Sequence, residues 1–375
     1  MNLKDTVNTT FNLWKKGRKE DRPTRTLVLL GAPGIGKTAS GRMLAALMTE
    51  HVRRNDPDAP EAACHVLDLS SMLPEDLMGL PFRDGNVTRY CPQSWMAPLC
   101  QPGAYGVLIL DDLPAAAAQV QVACRQVSLE RRIHEMKLAD GVFVMVTGNR
   151  REDRSAATTL PAHFRNSVLL LPFQPDFASW VDWYHAQGFD TDIPAFLEWQ
   201  KGHFSHLPKD ADEQGAFATP RTWAMLGEML GGVDEKHVPE ISSGLIGSGV
   251  SAEFAAFRLL RRELVSPEKV LEDPERAIPN INILNSPDKM VAICTGLGEV
   301  SARLAKGQKA RPVLTQYLKA LSYVTSKDRE FIAVSISTFT ACKGQMKDVV
   351  DAARASNNDP KIKGMIQYLA KALEV

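Results

Sequence analysis

The chain has 375 residues, long enough for two or three domains with sizeable cores, and its 44 Lys and Arg balance 44 Asp and Glu. Zero net charge removes any overall electrostatic case for a nucleic-acid or acidic-membrane partner, although a local basic patch stays open. Six scattered cysteines with no C-x-x-C pair suit a reducing compartment, the first 21 residues lack a secretory apolar core, and no run is long enough to span a bilayer; the expectation is a cytoplasmic protein with no membrane contact.

Residues 1–21 read as a polar helix with an apolar stripe of Val7, Phe11, Leu13 and Trp14. "TLVLL" (Thr26–Leu30) is a short β-prone run ending in glycine, and "TASGRMLAALMTEHVRR" after it has helical period and no proline. "HVLDL" (Val66–Leu69 above all), "GVLIL", "VFVMVT" (Val142–Thr147) and "VLLLPF" (Val168–Phe173) are four further strand candidates, with helical stretches between several of them, "PAAAAQVQVACRQVSLERR" the clearest. Strands alternating with helices predict a parallel α/β sheet.

After Phe173 the strand signals stop, and "DFASWVDWYHAQG", "IPAFLEWQKG", "TPRTWAMLGEML" and "VSAEFAAFRLLRREL" all read as helices. Thr219 with Pro220 behind it, and Ser251 with an acid two residues on, are the expected caps of the last two. Trp180, Trp183 and Phe177 read as a core-facing stripe, and "RLLRREL" as a solvated face. A turn-rich stretch then leads to a final helical run ending at Val375. The predicted division is an N-terminal helix (1–23), an α/β domain (24–175), a helical lid (176–265) and a helical C-terminal region (266–375).

The chemistry concentrates in a few places. "GAPGIGKT", Gly31 to Thr38, follows the first strand, opens the first helix and fits G-x-x-x-x-G-K-[ST] in full. Gly31, Pro33, Gly34, Ile35 and Gly36 form a loop whose backbone N–H groups can converge on one phosphate, with the positive end of the helix behind them. Lys37 reaches for the β- and γ-phosphates and the Thr38 hydroxyl for Mg²⁺.

In "GVLILDDLPAAA", a buried strand runs straight into two adjacent acids, which need a cation opposite them or a proton on one of them. Beside a phosphate loop, Asp111 is the expected second holder of Mg²⁺, though Pro114 leaves a helix cap open for the pair. Asp112 is the candidate that orients the attacking water, from an arm one methylene shorter than glutamate's. Asn149 closes the fourth strand, where it can reach a γ-phosphate or a water, or serve as a turn residue in "GNR". Arg221 near a helix N-terminus opposes the dipole unless an anion is present, or is a surface arginine. "HFSH" places His203 and His206 at i, i+3 with no third ligand nearby, which reads as satisfied or solvated histidines.

Taken together, and over residues 24 to 260, the chain resembles the AAA+ ATPases, and within them the MoxR-like branch. "GAPGIGKT" looks like Walker A, "LILDD" like Walker B, "VTGNR" places Asn149 at the sensor-1 position and "TPRTW" places Arg221 at sensor 2. "EDLMGLPFRDGNVTRYCPQSWMAP" looks like the loop that this branch inserts in its second helix, and "LERRIHEMKLADG" like its hairpin before sensor 1. "LPAHFRNSV" lies where the family has its arginine finger, but the place of arginine and aromatic reads Ser167-Val168; Arg165 is the first candidate for that role, then Arg154, with no working finger the remaining alternative. The resemblance implies an AAA+ P-loop sheet with helices on both faces, ATP and Mg²⁺ as cofactors, a homo-hexameric ring, a chaperone-like action on a protein client, and a partner carrying a von Willebrand A domain. Two rivals stay open. One is an ATP-binding switch or scaffold with little turnover, favoured by Asp112 and Ser167. The other is a nucleic-acid motor or loader, disfavoured by neutral charge and the lack of a recognisable DNA-binding module.

Overall fold

Five short strands, all parallel, make the central sheet of the first half of the molecule: β1 (Leu27–Leu30), β2 (Ala63–Asp68), β3 (Tyr105–Asp111), β4 (Gly141–Gly148) and β5 (Leu169–Pro172). Their spatial order is β2-β3-β4-β1-β5. The computed structural model describes residues 1–153, 158, 160–207, 215–281, 284–307, 310–326, 328–342, 344–356, 359–363 and 365. The chain divides into two compact units, Met1–Asp176 and Phe177–Val375.

In the first unit the apolar runs of β3 and β4 are buried throughout because helices exclude water from both faces, so no polar alternation is needed. On one face lie α1 (Leu3–Lys19) and α2 (Lys37–Arg53). The absence of a side chain at Gly41 lets α2 close on Ile109 and Met145; a Cβ there would meet both at 2.5 Å. Trp14 of α1 is buried and donates its indole N–H to the Gly141 carbonyl at 2.8 Å, which satisfies the polar end of an otherwise apolar ring. On the other face Val120 and Cys124 of α3 (Ala118–Arg125) join Leu108, Leu110, Val144 and Val146 in one core. This is the parallel sheet with helices on both faces that the alternating strands and helices predicted. Its consequence is positional. Parallel strands end on one edge, and the order β3-β4-β1 sets Asp111, Gly148 and Gly31 side by side there.

The two expected insertions are hairpins. One pairs Leu80–Asp84 with Val87–Cys91, all ten residues exposed; the other pairs Arg132–Ile133 with Met136–Lys137. Tyr90 of the first stacks on His134 of the second, with ring centroids 3.6 Å apart.

The second unit is helical. Its first core holds α4 (Phe177–Gln187), α5 (Asp192–Trp199), α6 (Pro220–Leu230), α7 (Val238–Ile246) and α8 (Ser248–Glu263), packed around Trp180, Tyr184, Phe196, Trp223 and Phe254. Its second core holds α9 (Pro287–Leu304), α10 (Ala310–Val324) and α11 (Phe331–Ala341) around Leu297, Tyr317, Leu318 and Phe339. α9 belongs to both, with Ala292 in the first core and Cys294 in the second, so the two cores share a helix. The Thr219 cap is as expected, its hydroxyl accepting the Thr222 N–H at 3.2 Å.

Three local expectations are corrected. Ser251 is not a cap: α8 starts at Ser248 behind Gly247, whose φ of 86° suits glycine, and the Ser251 hydroxyl donates to the Pro239 carbonyl at 2.9 Å. Trp183 is 42% exposed, off the stripe that buries Trp180 and Tyr184. "RLLRREL" is a solvated face only at Leu259, Arg262 and Glu263. Arg258 and Arg261 each fall four residues after a buried phenylalanine, Phe254 and Phe257, on the inner side of α8, and form a largely buried ion network. Arg258 Nε donates to Asp192 at 2.9 Å; Arg261 donates to Asp192 at 2.9 Å and to Glu299 of α9 at 3.1 Å. Thr191 also donates to Glu299, at 3.1 Å. The acids come from distant segments, so no local pattern announces them.

A buried charge left without its partner is costly. We expect Arg261→Ala to destabilise the second unit by about 3–5 kcal/mol, read as a lower urea midpoint by tryptophan fluorescence, whereas the exposed Arg303→Ala should cost at most about 1 kcal/mol.

Candidate nucleotide site

The loop after β1 folds as the phosphate-loop motif requires. Gly31 packs so closely that a Cβ would lie 2.5 Å from the Phe173 carbonyl oxygen, and its N–H donates to Gly148 at 3.2 Å. Gly34 and Gly36 take φ of 73° and 97°, left-handed values that an ordinary side chain resists. Ile35, between them, is buried beneath the loop, and Pro33, just before Gly34, is half-buried. α2 then begins at Lys37 with no side-chain cap and no acid in its first turn. An uncapped helix start with glycines before it presents backbone donors and a positive field to an anion.

Lys37 is folded onto this loop. Its ammonium donates to the carbonyls of Gly31 at 2.8 Å and Ala32 at 2.7 Å, and to Asn149 Oδ1 at 2.9 Å. Asn149 is thereby within reach of the same group that would hold phosphate. Thr38, next on α2, donates its hydroxyl to Asp111, 2.9 Å from Oδ2 and 3.1 Å from Oδ1. The fully buried Thr147 near the end of β4 donates to Asp111 Oδ1 as well, and accepts the Asp112 N–H at 3.4 Å.

Asp112 has a left-handed backbone, φ 55° and ψ 39°, which aspartate tolerates better than most residues. It precedes a single 3₁₀ turn, and its side chain makes no capping hydrogen bond to it. Its Oδ1 is buried and has no hydrogen-bond partner among the described residues. Burial first, and then the neighbouring Asp111 carboxylate, push its carboxyl above the ordinary range; the Asn149 backbone N–H and the Lys37 ammonium oppose that rise.

The sheet edge thus gathers Lys37, Thr38, Asp111, Asp112 and Asn149 from α2, β3 and the end of β4. A hydroxyl beside a carboxylate is a hard oxygen donor set of the kind Mg²⁺ takes together with nucleotide phosphates, and the orphaned Asp112 oxygen can receive a proton donor such as water. The loop, the donor set and the orphan oxygen all fit a magnesium–nucleotide ligand.

Arg165 ends a single helical turn, Ala162–Arg165, with its side chain exposed, and among the described residues none of the five cluster residues bonds to it. Arg150 is engaged by Asp153, at 2.8 Å from Nη2 and 3.0 Å from Nε, as a staple of the loop after β4. Arg154 lies outside the described residues. Arg221, in the second unit, is the second residue of α6 and is exposed. His203 contacts Glu253 at 3.0 Å and stacks on Phe196, and no group of three or more His, Cys, Asp or Glu is arranged to hold a metal among the described residues. Thr147 is the residue that sequence reasoning passed over. It was the last letter of a strand, and the available signal was a polar residue at the end of an apolar run two places before Asn149.

No family model and no curated protein matches the chain. Among solved structures it is similar to a RuvB mutant of Thermogota maritima at 11% identity, covering 75% of this chain and 84% of that one, with a TM-score of 0.34, too distant to carry function. Among the described residues no helix is long and apolar enough to cross a membrane.

Removing the Lys37 ammonium takes away a charge-assisted contact worth about 1.5–3 kcal/mol. Lys37→Ala is expected to weaken ATP binding by about 10–100-fold in a fluorescent-nucleotide titration, with the thermal midpoint of the free protein little changed.

Proposed function

We propose that the chain is an AAA+ ATPase of the MoxR-like kind, which hydrolyses ATP with Mg²⁺ in a homo-hexameric ring and uses the cycle to remodel a protein client. The observation that carries the ATPase reading is the convergence of Lys37, Thr38, Asp111 and Asn149 within hydrogen-bond reach on one sheet edge, beside a glycine loop at an uncapped helix start. The ring, the client and a partner with a von Willebrand A domain rest on the motif resemblance.

In this reading Thr38 and Asp111 would hold the magnesium, which would supply positive charge to offset that of the phosphates. Lys37 exchanges its carbonyl contacts for phosphate oxygens, and the loop N–H groups orient the same phosphates. Asn149 positions the attacking water, and the Asp112 carboxylate accepts its proton. The sensor-2 role of Arg221 rests on the motif resemblance alone, and an exposed Arg165 is available to a neighbouring subunit's nucleotide.

A second reading, an ATP-binding switch with little turnover, is favoured by Asp112 itself. Its arm is one methylene shorter than glutamate's, which limits its reach to an attacking water. One substitution separates the two. Asp112→Asn should keep ATP binding and lower hydrolysis by about 10²–10⁴-fold, measured as phosphate release. A wild type that binds ATP but releases no phosphate, even with partner and client present, makes the switch the correct reading.

Nucleotide shared across a subunit boundary stabilises the assembly by linkage. With a non-hydrolysable ATP analogue and Mg²⁺, light scattering at micromolar protein should report particles larger than without nucleotide, and Arg165→Ala should reduce the difference.

A further inference from the structure

Thr147 joins the two acids of the site. It is fully buried at the carboxyl end of β4, paired in register with Leu29 of β1, while the preceding Val146 faces Leu110 of β3. A hydroxyl has one proton to give and lone pairs to receive with. Here the proton goes to Asp111 Oδ1, and a lone pair takes the Asp112 backbone N–H at 3.4 Å. That N–H belongs to a residue in the left-handed region, so the contact helps hold the turn that directs the Asp112 carboxyl.

Asp111 has a second hydroxyl donor, Thr38, but Thr38 is the group a magnesium ion would itself take as a ligand. Once Thr38 turns its oxygen to the metal, Thr147 is the hydroxyl left to orient the Asp111 carboxylate. It is well suited to that: its β-branched side chain is stiff at χ1, and the sheet holds it from both sides. Ligating carboxylates depend on such outer partners for direction.

We propose that Thr147 is a positioning residue of the magnesium–nucleotide site. It fixes the Asp111 carboxylate for the divalent cation and pins the Asp112 turn. The proposal rests on the reading of this edge as a magnesium–nucleotide site, and the test separates the two.

Thr147→Val keeps the shape and β-branching and removes only the hydroxyl; Thr147→Ser keeps the hydroxyl and removes the methyl. The full-length protein is titrated with a fluorescent, non-hydrolysable ATP analogue, first in chelator and then across a Mg²⁺ series, and phosphate release from ATP is followed in parallel. For Thr147→Val the Mg²⁺ concentration that half-restores tight nucleotide binding should rise by about 10–100-fold, the metal-free nucleotide affinity should be unchanged, and kcat should fall more than KM rises. Thr147→Ser should return Mg²⁺ dependence close to that of the wild type.

A Thr147→Val protein with wild-type Mg²⁺ dependence overturns the role of Thr147 and leaves the nucleotide site standing. Equal losses in Thr147→Val and Thr147→Ser overturn it too, because the methyl packing and not the hydroxyl is then responsible. Wild-type protein that binds no nucleotide, or binds it indifferently to Mg²⁺, overturns both the proposal and the reading beneath it. Should Thr147→Val lack a cooperative thermal transition, Thr147→Ala carries the same comparison with Thr147→Ser.

Discussion

The parallel pairing of β3, β4 and β1 governs everything else at the site. Parallel strands finish on the same edge, and pairing in register brings the end of one level with the end of the next. Asp111, Gly31 and the Thr147–Asn149 stretch are far apart in the chain and become neighbours only through that alignment. A shift of one residue in β4 would carry Thr147 to the opposite face of the sheet and break its bonds to both acids. The buried apolar runs on both faces of the sheet make such a shift costly, so the core of the first unit also keeps the site in order.

Two adjacent carboxylates at the end of a buried strand are an electrostatic liability, and the fold treats them differently. Asp111 accepts hydrogen bonds from the Thr38 and Thr147 hydroxyls. Asp112 has an orphaned, buried oxygen, and burial pushes its carboxyl upward. Two acids placed side by side in unlike surroundings can take unlike tasks, one holding a cation and the other exchanging a proton. Lys37 stands near enough to Asp112 to oppose the rise, so any ligand that draws the ammonium away also changes the balance at Asp112.

The second unit meets a similar difficulty with a different device. Arg258 and Arg261 lie on the buried stripe of α8, and acids from the Asp190–Asp192 turn and from α9 surround them. A buried ion network of this kind adds less to net stability than its number of contacts suggests, because desolvation offsets much of the attraction. What it does supply is direction: each carboxylate is met by a guanidinium at one position, which ties α5, α8 and α9 into one arrangement.

Much of the site was legible in the sequence. The glycine loop, the apolar strands, the Asp111–Asp112 pair, Asn149 and the Thr219 cap follow from short-range rules of backbone freedom, periodicity and capping, and these act over a few residues at a time. Only the tertiary structure decided which residues face each other. Thr147 looked like the end of a strand until β4 lay beside β3; Arg258 and Arg261 looked solvated until acids from distant segments closed around them; Ser251 looked like a cap until α8 began three residues earlier at a left-handed glycine. A side chain's own spacing states which face it occupies, but its hydrogen-bond partner comes from another part of the chain, and strand register and helix packing select that partner.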